Sequence, residues 1–173
     1  MKRKHNLWSF LLCLLLTALS LQALYASYAA SWSIAPSTSV LWLLTAITFF
    51  MGVSGFRDKS SRGARWRSWL TVLIAFPLSA IFLLGTIVNA SAREYISTTQ
   101  SPDSKTTIDF YTINGGATTS IAVVGIVNGP LWFKKAIYYD YRMDKADVAW
   151  MNNHTITIND HMLNLDKGET FSD

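Results

Sequence analysis

From His5 through Phe56 the chain carries no Asp, Glu, Lys or Arg, and the stretch from Trp69 to Ala90 is equally free of charge. Three apolar runs lie inside these stretches: residues 7–28, 37–56 and 69–90. At 1.5 Å per residue the first and third reach about 33 Å and the second about 30 Å, enough for a hydrocarbon core of roughly 30 Å. A single charge at mid-helix would cost about 2.5–3.5 kcal/mol on insertion, and none of the runs has one. The expectation is three transmembrane helices. An ordinary soluble enzyme does not fit. Neither does a disordered chain, which needs low hydrophobicity and high net charge, whereas half of these residues are hydrophobic.

A signal peptide is the rival reading of the first run, with Lys2-Arg3-Lys4 as its basic start and Ser27-Tyr28-Ala29 as a cleavage site. Its apolar stretch exceeds the 7–15 residues of a signal core, which favours an uncleaved helix. Leu12 stands where a lipoprotein site at Cys13 needs a small residue.

Charge sets the expected orientation. Residues 1–90 hold 8 basic side chains and 1 acidic one, while residues 91–173 hold 7 basic and 10 acidic. The basic residues of the first half form two clusters, Lys2–Lys4 and the loop residues Arg57, Lys59, Arg62, Arg65 and Arg67. The connection between spans one and two, residues 29–36, has no charge. The positive-inside rule then places the N-terminus and the basic loop in the cytoplasm and the C-terminal part outside the cell membrane. Trp8, Trp66 and Trp69 fall at the inner interface and Trp32 and Trp42 at the outer one, where indoles prefer to sit. The basic loop is expected to touch anionic headgroups, at about 1 kcal/mol per basic residue. A pI near 9.3 therefore reflects membrane topology, and nucleic acid is not an expected partner.

Within the spans the polar groups are Thr, Ser, Gln22, Asn89 and Cys13, so proton relay or ion coupling by this chain alone is not expected. Pro77 interrupts the third span and reads as a packing kink. Ala26/Ala30 and Ala75/Ser79 are small pairs four residues apart that permit close helix approach. Cys13 reads as a small buried hydrophobe.

Beyond a polar neck at 91–104 the periodicity changes. Residues 106–114, 120–127, 131–142, 147–151, 155–158 and 162–165 read as six short strands, separated by Gly115-Gly116-Ala117, Asn128-Gly129-Pro130 and Asn159-Asp160-His161. They predict a small antiparallel all-β domain over 105–173, a meander or barrel-like sheet. In the 131–142 strand, alternation puts Phe133, Ile137, Tyr139 and Tyr141 on one face and Tyr138 on the other. In the last hairpin Ile156, Ile158, Leu163 and Leu165 face inward. With Tyr138 exposed beside Trp132, the residues Trp132, Tyr138, Tyr139 and Tyr141 would form an aromatic patch for a protein, peptide or glycan partner.

The acid–base candidates are His154, His161, Asp160, Asp140, Asp144 and Asp147. The histidines stand about 23 Å apart along one predicted strand, too far to share a metal, and read as exposed turn residues. Asp140, Asp144 and Asp147 bracket a turn that reads as a solvated, salt-bridged one in preference to a cation site. No nucleophile-elbow, Ser-x-x-Lys or His-Glu-x-x-His pattern occurs. No catalytic, cofactor or metal residue is assigned.

The stretches SPDSKTTIDFYTINGGATTS (101–120), KKAIYYDYRMDKADVAWMNNHTITIND (134–160) and HMLNLDKG resemble an uncharacterised family of small membrane proteins of Gram-positive bacteria. In that family a hydrophobic N-terminal part precedes a compact C-terminal domain, and the resemblance covers about the last 75 residues. Ser104 departs from the glycine of a Ser-Pro-Asp-Gly turn, and Asp160 from Asn-Gly. The resemblance implies a bacterial envelope protein and carries over no catalytic residue. The expected function is that of a membrane-anchored component acting by binding another membrane or envelope protein, as accessory, sensor or immunity-like element. The alternatives are an extracytoplasmic enzyme on wall or lipid substrates, and an accessory subunit of a transporter.

Overall fold

A computed structural model describes residues 2–58, 61–116 and 120–173. They divide into two compact units: the first runs to Ala23 and resumes over Ala35–Val88, and the second joins Leu24–Ile34 to Asn89–Asp173.

Three helices build the first unit, α1 (Lys2–Tyr28), α2 (Thr38–Gly55) and α3 (Arg62–Ala92), each long and apolar enough to cross a membrane. The sequence expectation of three long apolar helices is met. The third begins earlier than expected, because hydropathy marks the apolar segment and not the end of the hydrogen-bond ladder. The Ala64 N–H donates to Ser61 Oγ at 3.1 Å, an N-cap that starts α3 on the basic residues themselves. Residues 62–67 are therefore helix, and α3 runs on through Pro77 without a break. Lys59 lies outside the described residues.

Inside this unit small and polar residues lie beside a small apolar cluster in which Leu16 and Leu41 are buried. A Cβ on Gly52 would lie 2.9 Å from Thr71 Cγ2, and one on Gly55 would lie 2.5 Å from Ser68 Oγ, so α2 and α3 approach at two glycines. Ala75 is buried, as is Cys13, whose Sγ lies 3.9 Å from the Thr71 carbonyl. Asn6 Nδ2 donates to the Ala64 carbonyl and to Ser68 Oγ, both at 2.8 Å. The buried hydroxyls of Thr45, Thr48 and Thr71 donate to carbonyls one turn back in their own helices. Many other large apolar side chains point outward: Leu15, Phe50, Leu73 and Ile81 are all exposed.

Among the described residues the second unit holds eight strands, two more than expected: β1 (Arg93–Gln100), β2 (Thr107–Asn114), β3 (Ile121–Asn128), β4 (Lys134–Tyr141), β5 (Val148–Trp150), β6 (Thr155–Ile158), β7 (His161–Asn164) and β8 (Phe171–Ser172). Within the neck expected over 91–104, residues 93–100 form β1, the edge of a five-stranded sheet ordered β1-β2-β3-β4-β8; its polar residues suit an edge strand and have the composition of a linker. This sheet is an antiparallel meander through β4, with β8 added parallel. A second antiparallel sheet has the order β5-β6-β7. The hairpin β6–β7 turns on Asn159 and Asp160 at φ of 45° and 70°, the conformation that a tight two-residue hairpin turn requires. Ser104 likewise takes φ 58°. Ser101 Oγ donates to Asp103 Oδ1 at 2.6 Å, and Asp103 Oδ1 also accepts from the Lys105 N–H, so side-chain bonds hold the turn without a glycine.

The core lies between the sheets: Ile108, Phe110, Val123, Val127, Ile137 and Tyr138 meet Ile156, Ile158 and Leu163, with Leu165 packed beside them. The inward set of the last hairpin is as expected. Gly125 leaves room for a ring, since a Cβ there would sit 2.9 Å from Phe110 Cε1.

Candidate functional site

The expected alternation along β4 does not survive its bulge. Gly125 pairs with Tyr138 and Ile126 with Ala136, which leaves Ile137 as the extra residue. Ile137 and Tyr138 both enter the core, and the residues beyond change face. Tyr138 is thus 1 % exposed, not a surface ring beside Trp132. Its hydroxyl donates to Asp140 Oδ2 at 2.6 Å, and burial together with that bond raises the phenol far above its ordinary value.

Tyr139 and Tyr141 therefore share the sheet face turned away from the core, where two tyrosines not singled out from the sequence join them. The register Tyr95↔Tyr111, Tyr111↔Val124, Val124↔Tyr139 places three tyrosines in one cross-strand row. Tyr141 lies in the adjacent row, across β3 and β2 from Arg93 by way of Ala122 and Ile113. Tyr95 is 58 % exposed and Tyr139 37 %. The Tyr95 and Tyr111 rings meet edge to face at 5.9 Å, with the Arg93 guanidinium 5.2 Å from the Tyr111 centroid. The signal that would have revealed this row was the alternation of Tyr95 in a segment taken for linker.

A polar chain anchors the row. Tyr95 Oη donates to Thr98 Oγ1 at 2.9 Å, Thr98 Oγ1 donates to Asp109 Oδ1 at 2.6 Å, and Asn128 Nδ2 donates to Asp109 Oδ2 at 2.6 Å. Partial burial pushes the Asp109 carboxyl up, but the bonds from Asn128 and Thr98 and the Lys134 charge outweigh it and hold the group below its usual value. Between Tyr111 and Tyr139, Val124 is buried and lines a cavity of about 360 Å³ with Ser27, Ala30, Tyr139 and Thr170.

Trp132 belongs elsewhere. It stands in the β3–β4 turn, half exposed, with Nε1 donating to the Ile34 carbonyl at 2.8 Å. Nearby, Ser33 and Lys134 exchange backbone hydrogen bonds of 2.8 and 3.2 Å. Trp132 precedes β4 while Tyr141 is its last residue, so the four-residue aromatic patch is not one surface.

Among the acid–base candidates, Asp140 and His161 both lie by Tyr138, whose ring centroid is 6.2 Å from that of His161. His154 Nδ1 lies 3.0 Å from Asp166 Oδ1. His161 is not an exposed turn residue: it is half-buried and stacks on Phe171 at 3.7 Å between centroids, while Phe171 in turn stacks on Tyr138. Asp140 is buried against Tyr138, whereas Asp144 and Asp147 are exposed, so the expected acidic turn is split. Among the described residues no three His, Cys, Asp or Glu side chains gather as metal ligands.

The basic cluster also divides. Arg62, Arg65, Trp66 and Trp69 line a cavity of about 430 Å³, while Arg57 lines another of about 500 Å³ with Asn6, Ile47, Phe50, Met51 and Asp58. Arg67 is half-buried, its Nε buried.

No curated protein and no solved structure matches the chain. A family model does match, over residues 67–172, which spans most of α3 and nearly all of the β unit: the chain belongs to the family of unknown function DUF5412.

Proposed function

We propose that the protein is a three-span membrane protein that holds its β unit outside the cell membrane and acts by binding another membrane or envelope protein through the tyrosine face. The helices support the first part, with many large apolar side chains outside and Asn6, Ser68, Thr45, Thr48 and Thr71 among those inside, a pattern suited to lipid. The distribution of basic residues supports the orientation. The observation that carries the binding reading is the row Tyr95–Tyr111–Tyr139, with Tyr141 beside it. Tyrosines offer large, rigid contact area with a polar tip, and they are enriched at protein interfaces.

Two measurements test the reading. With Ser172→Cys, an impermeant maleimide labels intact cells; labelling only after permeabilisation overturns the orientation. A photo-crosslinking amino acid at position 139 captures a specific membrane or envelope protein in cells. The same amino acid at exposed Lys145, which lies off the face, does not. Identical adducts from both positions overturn the tyrosine face as the binding surface.

A further inference from the structure

The basic residues between α2 and α3 look equivalent in sequence, but helix geometry sorts them. Arg62, Arg65, Trp66 and Trp69 stand at i, i+3, i+4 and i+7, a single face of α3. All four are exposed, and together they line the 430 Å³ cavity. Further along the same face come Leu73 and Phe76, 67 % and 61 % exposed. Asp58, the one acidic residue among the first 90, lines the other cavity with Arg57. The face thus carries two guanidiniums, then two indoles, then bare hydrocarbon, with no carboxylate to compete.

We propose that this stripe is a binding site for one anionic phospholipid. Arg62 and Arg65 hold the phosphate, since guanidinium forks match phosphate oxygens bidentately. Trp66 and Trp69 flank the glycerol level, where indoles prefer to sit, and the acyl chains follow Leu73 and Phe76. The apolar continuation selects a lipid over a free anion, because dissolved phosphate gains nothing from exposed Leu73 and Phe76. The inference rests on the membrane-spanning reading and adds a ligand class and four residues to it.

Native mass spectrometry of the full chain, purified in a neutral detergent and exposed to equal amounts of phosphatidylglycerol and phosphatidylcholine with the same acyl chains, tests it. One phosphatidylglycerol per chain is retained in preference to phosphatidylcholine, and inorganic phosphate does not displace it. The double substitution R62Q/R65Q lowers retention about 10- to 30-fold, the loss expected from two surface arginines. R57Q, which removes a positive charge from the other cavity, costs less than R62Q or R65Q alone. Equal loss in R57Q, or displacement by inorganic phosphate, overturns the site. The wild-type comparison needs no variant to fold: equal retention of the two lipids also overturns it. Retention is read on purified protein regardless of orientation, so the Ser172→Cys labelling fails or succeeds independently.

Discussion

The two units bury different mixtures of residue, although the helical one also holds a small apolar cluster at Leu16 and Leu41. The helical unit keeps Gly52, Gly55, Ser68, Thr71 and Asn6 inside and turns Phe50, Leu73 and Ile81 out. The β unit keeps Phe110, Tyr138 and a set of isoleucines inside and places charge and hydroxyls on its surface. In water only the second arrangement gains from burial, at about 25 cal/mol per Å² of apolar surface removed. On the membrane-spanning reading proposed above, the first gains from close backbone approach and interhelical hydrogen bonds, the forces left when the surroundings are as apolar as leucine. The units should therefore respond differently to the same kind of damage. Phe110→Ala is the largest expected effect: a fully buried ring is lost between the sheets, at about 3–5 kcal/mol. Hydrogen exchange on the full chain in detergent should show amide protection lost across β1–β8 and kept in α1–α3. Simultaneous loss in both would break the distinction, because the units would then be one cooperative structure.

The converse test adds bulk where the helical unit has none. Gly55→Leu places a side chain where a Cβ already lies 2.5 Å from Ser68 Oγ, and overpacking of this kind costs about 1–3 kcal/mol. A Cβ on Gly63 would meet only Arg67 Nη1 at 3.8 Å, so Gly63→Ala should be neutral or stabilise by up to about 1 kcal/mol, as alanine does in a helix interior. Thermal melts of helical circular dichroism check both. Equal melting of the two variants would mean that α2 and α3 do not depend on the close approach at Gly55.

The same contrast explains what could be read in advance. Three charge-free runs announced the helices, because hydropathy needs no knowledge of partners. The small pairs Ala26/Ala30 and Ala75/Ser79 were visible as motifs, yet the close approach between α2 and α3 uses Gly52 and Gly55: spacing shows which faces are smooth, and only packing shows which faces meet. In the β unit, alternation found six strands and the inward set Ile156, Ile158 and Leu163. It failed at β4, where one inserted residue at Ile137 reverses every later side chain. That single bulge moved Tyr138 into the core and left Tyr139 and Tyr141 to join Tyr95 and Tyr111. Strand β1 was missed because an edge strand of Thr, Ser and Glu has the composition of a linker.

The smallest expected effect concerns what fixes the tyrosine row. Asp109 accepts from Thr98 and Asn128, and its carboxyl is held below the usual value. A depressed carboxyl stabilises the fold fully above the unfolded-state value of about 3.9, and the contribution fades as pH falls through the lower folded-state value. Asp109→Asn keeps the shape and removes the charge. Because the site is partly open to solvent, the loss at pH 7 should be below about 1 kcal/mol. Near-ultraviolet circular dichroism melts, which follow the aromatic groups, should show the variant melting below wild type at pH 7, with the gap closing as pH drops below about 4. A gap of constant size across that range would show that Asp109 acts through shape alone, and the row would then owe its position to ring packing between Tyr95 and Tyr111 instead of to the charged anchor beneath it.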